Sequence, residues 1–195
     1  MSNEVREFWD GHAATFDEEP DHGLRDPAVR DAWARLLLPL VPVTGARVVD
    51  LGCGTGSLSV LLAQAGHRVS GVDLSGRMVA AARAKAEAAG VGAEFTEGDA
   101  STPPYEPGTA DVVLARHVLW ALPDPASAIA RWAGLLRPGG RMVLVEGRWS
   151  TGAGLTAEEC RALVRGTGRH AGVTRLDDAA LWGREIDDER YLLVS

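Results

Sequence analysis

Short apolar runs alternate with longer stretches of helical periodicity along most of this chain. The runs short enough for buried strands are Arg47–Leu51, His67–Asp73, Ala93–Glu97, Ala110–Ala115 and Arg141–Glu146. Strands that alternate with helical segments in this way are typical of βαβ units and predict a parallel sheet. Two further short strands, Val173–Leu176 and Arg190–Val194, complete the predicted order.

The segments between the apolar runs carry apolar residues at the spacing of one helix face. The predicted helices are Pro27–Leu40, Leu58–Ala65, Gly76–Ala89, Pro125–Leu136 and Thr156–Gly166. Ser75 and Asp124 stand at the N-cap positions of two of them, where short polar side chains are preferred. The run from Arg137 to Gly140 contains Pro and Gly and predicts a helix stop and a turn before the fifth strand.

The first strand leads directly into a glycine-rich turn. Asp50 and Leu51 end the strand, and Gly52, Gly54 and Gly56 follow at alternate positions. Glycines permit positive φ and let a ligand approach the main chain, while the free N–H groups of a helix start favour polar or anionic groups. A dinucleotide fingerprint also needs glycine at its sixth position, where this chain has Ser57. The spacing therefore argues against a dinucleotide cofactor.

Carboxylates also stand at the ends of the next two strands. Asp73 ends the second strand, and Asp99 follows the third. Since the carboxyl ends of neighbouring parallel strands line one crevice, we expect both side chains to lie beside the glycine turn. A carboxylate in that position can accept hydrogen bonds from both hydroxyls of a ribose, and an Asp that only caps a loop is the alternative.

The glycine pattern with Asp50 ahead of it resembles motif I of the class I S-adenosylmethionine-dependent methyltransferases, in their small-molecule branch (methyltransferase type 11, UbiE-like). The segment from Leu135 to Val145 closely matches the signature that follows a helix in that family. The resemblance implies an α/β fold, a three-layer Rossmann-like sandwich whose seven-stranded, mostly parallel sheet has an antiparallel last strand and helices on both faces. We expect one methyltransferase domain over residues 1–195, with residues 1–40 as a helical lid or cover segment within it.

The resemblance also implies which residues hold S-adenosylmethionine. Asp73 would accept the ribose hydroxyls, Leu74 and Met78 would pack on adenine, and Asp99 with the Ala100 N–H would meet the adenine edge. Met78 in the core is the alternative for that residue. Backbone carbonyls near Ala115 and Arg116 would hold the aminoacyl end. The full predicted cofactor set is Phe16, Asp50, Gly52, Cys53, Gly54, Gly56, Asp73, Leu74, Met78, Asp99, Ala100, Ala115 and Arg116.

Two members of this set have a further interpretation. Phe16 lies in a leader segment, Trp9–Asp17, that resembles the one that closes over the cofactor in many small methyltransferases, where Tyr is common. An amphipathic helix on the sheet edge is the alternative for that segment. We interpret Cys53 as a small apolar filler beneath the cofactor rather than as a reactive thiol.

The activity implied by the resemblance is transfer of a methyl group to an O or N atom of a small-molecule metabolite, with S-adenosylhomocysteine as product. A base is needed only when the acceptor carries a proton whose removal limits the rate. His117, just beyond the fourth strand, is the candidate for this role, and His12 in the leader is a second. A histidine that only packs in the turn is the alternative. Trp120, Arg148 and Trp149 are predicted to line the acceptor pocket with His117.

Composition limits the range of partners. The net charge is −7 over 195 residues, and no basic cluster alternates with aromatic residues, so a nucleic-acid partner is disfavoured. No apolar run has the length of a membrane span, and the first residues are charged rather than signal-like, so we expect a cytoplasmic protein without a membrane partner. The two cysteines form neither a disulfide framework nor a zinc site, and no metal is predicted. The sequence does not indicate an oligomeric state.

Other functions stay open at this point. The chain is also compatible with a subunit that binds S-adenosylmethionine without catalysis, for example beside an active partner. A protein side chain or terminus is a second acceptor class, and another reaction of the same cofactor on this fold is a third possibility.

Overall fold

A computed structural model describes residues 3–41 and 43–195, and a seven-stranded sheet forms its centre. The strands are β1 (Arg47–Leu51), β2 (Arg68–Asp73), β3 (Ala93–Glu97), β4 (Ala110–Arg116), β5 (Leu136–Arg148), β6 (Gly172–Arg175) and β7 (Glu189–Val194). Their order is β3-β2-β1-β4-β5-β7-β6. Pairs among β1 to β5 are parallel, and β7 is antiparallel to both β5 and β6. The predicted fold class is confirmed.

Helices cover both faces of this sheet. Within the described ranges the α-helices are α1 (Asn3–His12), α2 (Pro20–Gly23), α3 (Pro27–Leu37), α4 (Ser57–Gln64), α5 (Gly76–Ala88), α6 (Pro125–Leu135), α7 (Ala157–Arg165) and α8 (Ala179–Trp182). Ser75 caps α5 by accepting a hydrogen bond from the Met78 N–H at 3.1 Å, as predicted. No helix in these ranges combines the length and the apolar character needed to cross a bilayer.

The alternation of side chains along the strands produces one apolar core on each face. Met142 and Leu144 of β5 belong to the core shared with α6 and α7, whereas Val143 and Val145 belong to the core shared with α3, α4 and α8. The buried indoles have hydrogen-bond partners. Trp132 Nε1, for example, donates to the Ala100 carbonyl at 2.7 Å. The Trp132 bond ties α6 to the segment that follows β3.

Most predicted boundaries differ from the structure by one or two residues, and two differ by more. The helix predicted over Pro27–Leu40 ends at Leu37, and Leu38–Leu40 continue as a 3-10 turn, since Pro39 has no backbone N–H to continue the helical hydrogen bonds. The turn predicted at residues 137–140 is a bulge inside β5: Ala110 pairs with Leu136, but Val112 pairs with Arg141. Two steps along β4 thus span five along β5, and Gly139 takes up the bend at φ +79°.

Candidate cofactor and acceptor site

A large cavity opens at the carboxyl ends of β1, β2 and β4. Its empty volume, including the part open to solvent, is about 1060 Å³. The glycine turn, the strand ends, the leader segment and the turn after β4 form its walls. The lining residues are Trp9, Phe16, His22, Asp50, Gly52, Cys53, Gly54, Leu58, Asp73, Leu74, Met78, Ala100, Arg116, His117, Val118, Trp120, Ala121, Leu122 and Trp149.

The glycine turn has the left-handed backbone that its sequence predicts. Gly52, Gly54 and Gly56 have φ of +70°, +54° and +76°, a region that favours glycine. A Cβ atom on Gly52 would lie 2.5 Å from the Val118 side chain, so this glycine lets the turn after β4 approach β1. A Cβ on Gly56 would lie 2.8 Å from Ala82 in α5, and Gly56 does not line the cavity. Gly56 therefore serves helix packing in this structure.

Asp73 braces the glycine turn from the end of β2. Its Oδ2 accepts a hydrogen bond from the Gly54 N–H at 2.9 Å, and its Oδ1 accepts one from the Ser75 N–H at 2.9 Å. Burial raises the pKa of Asp73, although these hydrogen bonds oppose the rise. Each carboxylate oxygen has room for more than one hydrogen bond. Asp73 can therefore accept hydroxyl donors of a ligand while it holds the turn.

Asp50 lies at the cavity floor in a more apolar setting. Its Oδ2 accepts a hydrogen bond from the Ser59 hydroxyl at 2.6 Å. Burial raises the pKa of Asp50 to about 6, and the charge of Arg116 opposes the rise. The Arg116 guanidinium is buried as well, lies 5.2 Å from the Trp33 ring centroid and donates to the Asp21 carbonyl. Positive and negative charges beneath the cavity therefore compensate one another.

The residues predicted to contact adenine divide into two groups. Leu74, Met78 and Ala100 line the cavity. Asp99 does not line it, and its Oδ1 accepts a hydrogen bond from the Ser101 N–H at 2.8 Å. Ala115 is fully buried in the sheet and also lies outside the lining set.

Cys53 projects from the glycine turn toward β2. A Cβ atom on Gly71 would lie 2.9 Å from the Cys53 sulfur, so the thiol packs directly against that strand. Burial raises the pKa of Cys53 well above its ordinary value, and the charges of Asp50 and Asp73 act in the same direction. A thiol that resists ionisation is a poor nucleophile. This environment suits the filler interpretation.

The leader segment closes one side of the cavity. The Phe16 ring stacks on His22, with centroids 4.3 Å apart and planes 13° apart, and it also borders Gly54. The leader contains the helix α1 as well as this aromatic cover, so the two interpretations of the segment are compatible. His22, which sequence reasoning missed, enters the cavity as the stacking partner of Phe16.

A polar cluster, here called the latch, fastens the leader to the rest of the protein and consists of Asp17, Thr55, Ser57 and Lys85. Lys85 Nζ lies 2.8 Å from Asp17 Oδ2 and donates to the Ser57 and Thr55 hydroxyls at 2.6 and 2.9 Å. The Thr55 hydroxyl also donates to Asp17. Burial lowers the pKa of Lys85, and the hydrogen bond with Asp17 opposes that change. The only sequence signal for this cluster is that Lys85 is a single lysine among many arginines.

His117 occupies an unusual position at the end of β4. Its backbone has φ +58°, in the left-handed region that few residues other than glycine adopt. Both ring nitrogens are buried and have no hydrogen-bond partner among the described residues. Burial lowers the pKa of His117 well below its ordinary value, and the charge of Arg116 contributes. The imidazole therefore presents an unused donor and an unused acceptor.

Glu146 anchors the turn that carries His117. Its Oε1 accepts hydrogen bonds from the Val118 N–H at 2.9 Å and the Leu119 N–H at 3.0 Å. Its Oε2 is buried without a partner among the described residues. Burial raises the pKa of Glu146 to about 7. The sequence predicts Glu146 only as the last residue of a strand. A carboxylate directly after four apolar strand residues is the one sign in the sequence that this position is unusual.

An aromatic wall borders His117 on the outer side of the cavity and consists of Trp9, Trp120 and Trp149. The Trp149 ring centroid lies 5.3 Å from that of His117 and 5.8 Å from that of Trp120. Trp120 packs against Trp9 of α1 at 6.3 Å, and its Nε1 donates to the His117 carbonyl at 2.8 Å. Trp120 remains 41% exposed, which places it at the cavity mouth.

Two further predicted residues lie outside the cavity lining. Arg148 Nη1 donates to the Gly154 carbonyl at 3.3 Å and lies 3.9 Å from Glu159, so its side chain is held near α7. His12 is exposed, and its Nδ1 lies 2.7 Å from the Phe8 carbonyl oxygen. Within residues 3–41 and 43–195, no group of His, Cys, Asp or Glu side chains is arranged to hold a metal ion.

A cavity at the carboxyl ends of parallel strands, bordered by a glycine turn and a strand-end carboxylate, defines a Rossmann-like nucleotide-binding protein. Residues 49–144 match a family model described as a methyltransferase domain. A ubiquinone biosynthesis O-methyltransferase of Xylella fastidiosa is 30% identical over 183 residues, which cover 91% of this chain and 71% of that protein. The chain belongs to the class I S-adenosylmethionine-dependent methyltransferases.

Other relatives match a smaller part of their own length. A ubiquinone biosynthesis O-methyltransferase of Ralstonia nicotianae is 42% identical over 102 residues, which cover 52% of this chain and 43% of that protein. The chain spans about half the length of several such relatives. Among solved structures, the [4+2]-cyclase SpnF has a TM-score of 0.73 and 22% identity, and the match covers 84% of this chain and 79% of that one. This last similarity concerns the fold.

Proposed function

We propose that the protein transfers a methyl group from S-adenosylmethionine to a hydroxyl oxygen of a planar, neutral small molecule. The observation that carries the proposal is the position of His117: an unpartnered neutral imidazole lies in the same cavity as the glycine turn and Asp73. The names of the relatives, which are O-methyltransferases of ubiquinone biosynthesis, favour oxygen over nitrogen as the accepting atom.

The inner part of the cavity fits the cofactor. The backbone of Gly52 and Gly54 leaves space at the helix start, and Asp73 has acceptor capacity for ribose hydroxyls. Leu74 and Met78 offer an apolar surface for adenine. When bound, S-adenosylmethionine supplies an electrophilic methyl group on a sulfonium centre. The remaining cofactor residues of the predicted set, including Asp99 and Gly56, stay predictions.

The outer part of the cavity would orient the acceptor and receive its proton. His117 stays neutral near pH 7 because its pKa is lowered, so one ring nitrogen can accept a hydrogen bond from the acceptor hydroxyl. His117 would take up the hydroxyl proton at that nitrogen while the acceptor oxygen gives an electron pair to the methyl carbon; the carbon–sulfur bond would break with its electron pair on sulfur, which leaves neutral S-adenosylhomocysteine. Correct placement and the exclusion of water account for most of the remaining acceleration.

The aromatic wall supports a planar acceptor without a net charge. Trp149 and Trp120 offer ring faces and edges for stacking. The nearby cation Arg190 lies 5.3 Å from the Trp149 ring centroid, but its guanidinium is paired with Asp188 at 2.8 Å. The net charge of −7 supports a small molecule over a nucleic acid. A cytoplasmic location and a single domain over residues 1–195 stay predictions.

Calorimetry with S-adenosylmethionine, followed by mass-spectrometric detection of S-adenosylhomocysteine, tests this proposal. The acceptor panel consists of phenols, catechols and matched aromatic and aliphatic amines. We expect cofactor binding, and turnover with the hydroxyl compounds. Binding without turnover on any acceptor would favour the non-catalytic alternative, and a lack of binding would refute the cofactor assignment itself.

A further inference from the structure

The turn that follows β4 has an unusual backbone course. The His117 N–H donates to the Val145 carbonyl at 2.9 Å, so sheet pairing with β5 continues as far as this residue. The backbone then turns at φ +58°, and the next two amides leave the sheet pattern. Such a conformation persists only when surrounding contacts hold it.

Trp120 Nε1 donates to the His117 carbonyl, and the two amides that leave the sheet are held by one further side chain. Both amides, of Val118 and Leu119, donate to the same oxygen of Glu146. We propose that Glu146 is a positioning residue for methyl transfer, which holds this turn so that the His117 imidazole faces the acceptor part of the cavity. This inference deepens the proposed function, since it concerns the residue assigned there as proton acceptor.

The burial of Glu146 supports a role beyond filling the core. Glu146 is 1% exposed, and the residues that precede it on the same face of β5 are the apolar Met142 and Leu144. An apolar side chain would suit this face, because a buried carboxyl is costly unless its hydrogen bonds are complete. Glu146 accepts hydrogen bonds from the two amides of the turn, so its carboxyl group serves that segment.

The pKa values of the groups packed around Glu146 lie far from neutral pH, whereas the pKa of Glu146 lies close to it. Its cross-strand neighbour is Tyr191 on β7, and Cys160 on α7 also lies close enough to interact electrostatically. Burial raises the pKa of Cys160 to about 12 and also raises the pKa of Tyr191, so both stay neutral. The lowered pKa of His117 keeps the imidazole neutral as well. The pKa of the cavity-floor residue Asp50 is raised to about 6, so a titration near pH 7 reports on Glu146 only if it disappears in Glu146→Gln.

The same turn also borders the cofactor part of the cavity. A Cβ on Gly52 would lie 2.5 Å from the Val118 side chain, so Val118 packs directly over the first glycine of the turn. Displacement of Val118 would disturb this contact, whereas displacement of His117 would disturb the acceptor. We expect the second effect to dominate, since Asp73 holds the glycine turn independently.

The hydrogen bonds from the Val118 and Leu119 amides to Glu146, here called the anchor, can be tested without any acceptor by NMR of the intact, ¹⁵N-labelled protein. In the wild type, the Val118 and Leu119 amide protons should shift with pH around a common midpoint near 7. In Glu146→Gln the carbonyl oxygen keeps an acceptor but cannot titrate, so both signals should stay nearly constant. In Glu146→Leu both signals should move, together with the His117 ring signals. Wild-type amides that do not titrate, or Glu146→Leu spectra that match the wild type at His117, would overturn the proposal.

Kinetics with catechol as the acceptor probe separate positioning from general stability. Glu146→Leu should lower kcat by about 100-fold, while its affinity for S-adenosylhomocysteine changes far less. Glu146→Gln should recover most of this loss. Leu144→Ala is the matched control, because Leu144 is buried on the same strand face and does not contact the turn amides through a polar group. If Leu144→Ala loses as much stability as Glu146→Leu and its kcat falls by the same factor, a positioning role for Glu146 is refuted.

The two arms distinguish the anchor from the proposed function. If wild-type protein methylates no hydroxyl compound, the proposed function fails, and the amide titration still decides whether Glu146 holds the turn. If Glu146→Leu does not fold, the wild-type amide titration and its loss in Glu146→Gln still decide whether the Glu146 carboxylate binds the two turn amides.

Discussion

Asp73 and His117 are both polar residues at strand ends, but their hydrogen-bonding states are opposite. Both oxygens of Asp73 accept backbone N–H groups, whereas both ring nitrogens of His117 have no partner among the described residues. A satisfied carboxylate can fix a turn and a ligand together. An unsatisfied buried group is unfavourable until a ligand completes it. These states support separate roles on the cofactor side and on the acceptor side.

Replacement of Asp73 by Asn should weaken cofactor binding. The amide group has the same shape, but its NH₂ cannot accept the hydrogen bond from Gly54 or from a ribose hydroxyl. We expect the calorimetric Kd for S-adenosylmethionine to rise roughly tenfold or more. Asp124→Asn is the control, because Asp124 caps α6 outside the cavity lining and Asn is an equally good cap. Equal Kd values for wild type and Asp73→Asn would contradict the assignment.

Replacement of His117 by Asn should remove proton acceptance while it keeps the backbone. Asn tolerates the left-handed conformation, so the free energy of unfolding should change by about 1 kcal/mol or less. The kcat for catechol should fall by about 100-fold or more, with the Kd for S-adenosylmethionine unchanged. His170→Asn, at an exposed position, should have no effect on either quantity. An active His117→Asn enzyme would assign His117 to packing alone.

At the scale of secondary-structure elements, the leader is held by polar contacts more than by burial. No residue of α1 is buried, and Asp10 of this helix accepts hydrogen bonds from the Ser75 hydroxyl at 2.5 Å and the Arg77 N–H at 3.2 Å. The latch adds the contact between Asp17 and Lys85. An element with few apolar contacts opens at low free-energy cost, which suits a segment that covers a ligand cavity.

Lys85→Met should loosen the leader. The methionine keeps the apolar stem but removes the charge-assisted hydrogen bonds to Asp17 and Ser57. We expect faster hydrogen–deuterium exchange in residues 15–23 and a Kd for S-adenosylmethionine raised by roughly tenfold.

Arg83→Met provides the matched comparison on the same helix. It removes a hydrogen bond to the Phe95 carbonyl at 2.6 Å and leaves the latch intact. If both variants changed leader exchange equally, the latch would have no specific effect.

Elements marked by neighbouring residues could be predicted from the sequence. Contacts that join residues distant in the sequence could not. The strand bounds of β1 and β3 match, because apolar runs with flanking glycine or polar residues mark them directly. The latch joins Asp17 to Lys85 across 68 residues, and the anchor joins Glu146 to Val118 across 28 residues, so no periodicity reveals them. The sequence predicts Arg148 in the acceptor pocket, but a bridge to Gly154 and the proximity of Glu159 hold it elsewhere.

At the scale of the whole molecule, buried carboxyl groups make stability depend on pH. Burial raises the pKa of Asp50 to about 6 and that of Glu146 to about 7, from ordinary values of 3.8 and 4.5. The folded state therefore binds these protons more tightly than the unfolded chain. Their contribution is fully present below the ordinary values and is lost as the pH rises through the folded pKa.

Glu146→Gln should flatten this dependence. In the wild type, the Glu146 contribution to the free energy of unfolding should fall by on the order of 3 kcal/mol between pH 4.5 and 8. Urea unfolding of both proteins at several pH values measures the difference. The variant should gain stability relative to the wild type as the pH rises. Parallel stability curves for the two proteins would show that Glu146 has the same proton affinity in both states.

The latch has a practical consequence for chemical labelling. Lys85 is the only lysine of the chain, so its ε-amine is the one side-chain amine that an acylating reagent can modify. In the closed leader, hydrogen bonds to Asp17, Thr55 and Ser57 occupy this amine. The rate of acylation at Lys85, followed by mass spectrometry of the peptide that contains it, would therefore report how often the leader opens in the unmutated protein. A bound cofactor should slow this rate.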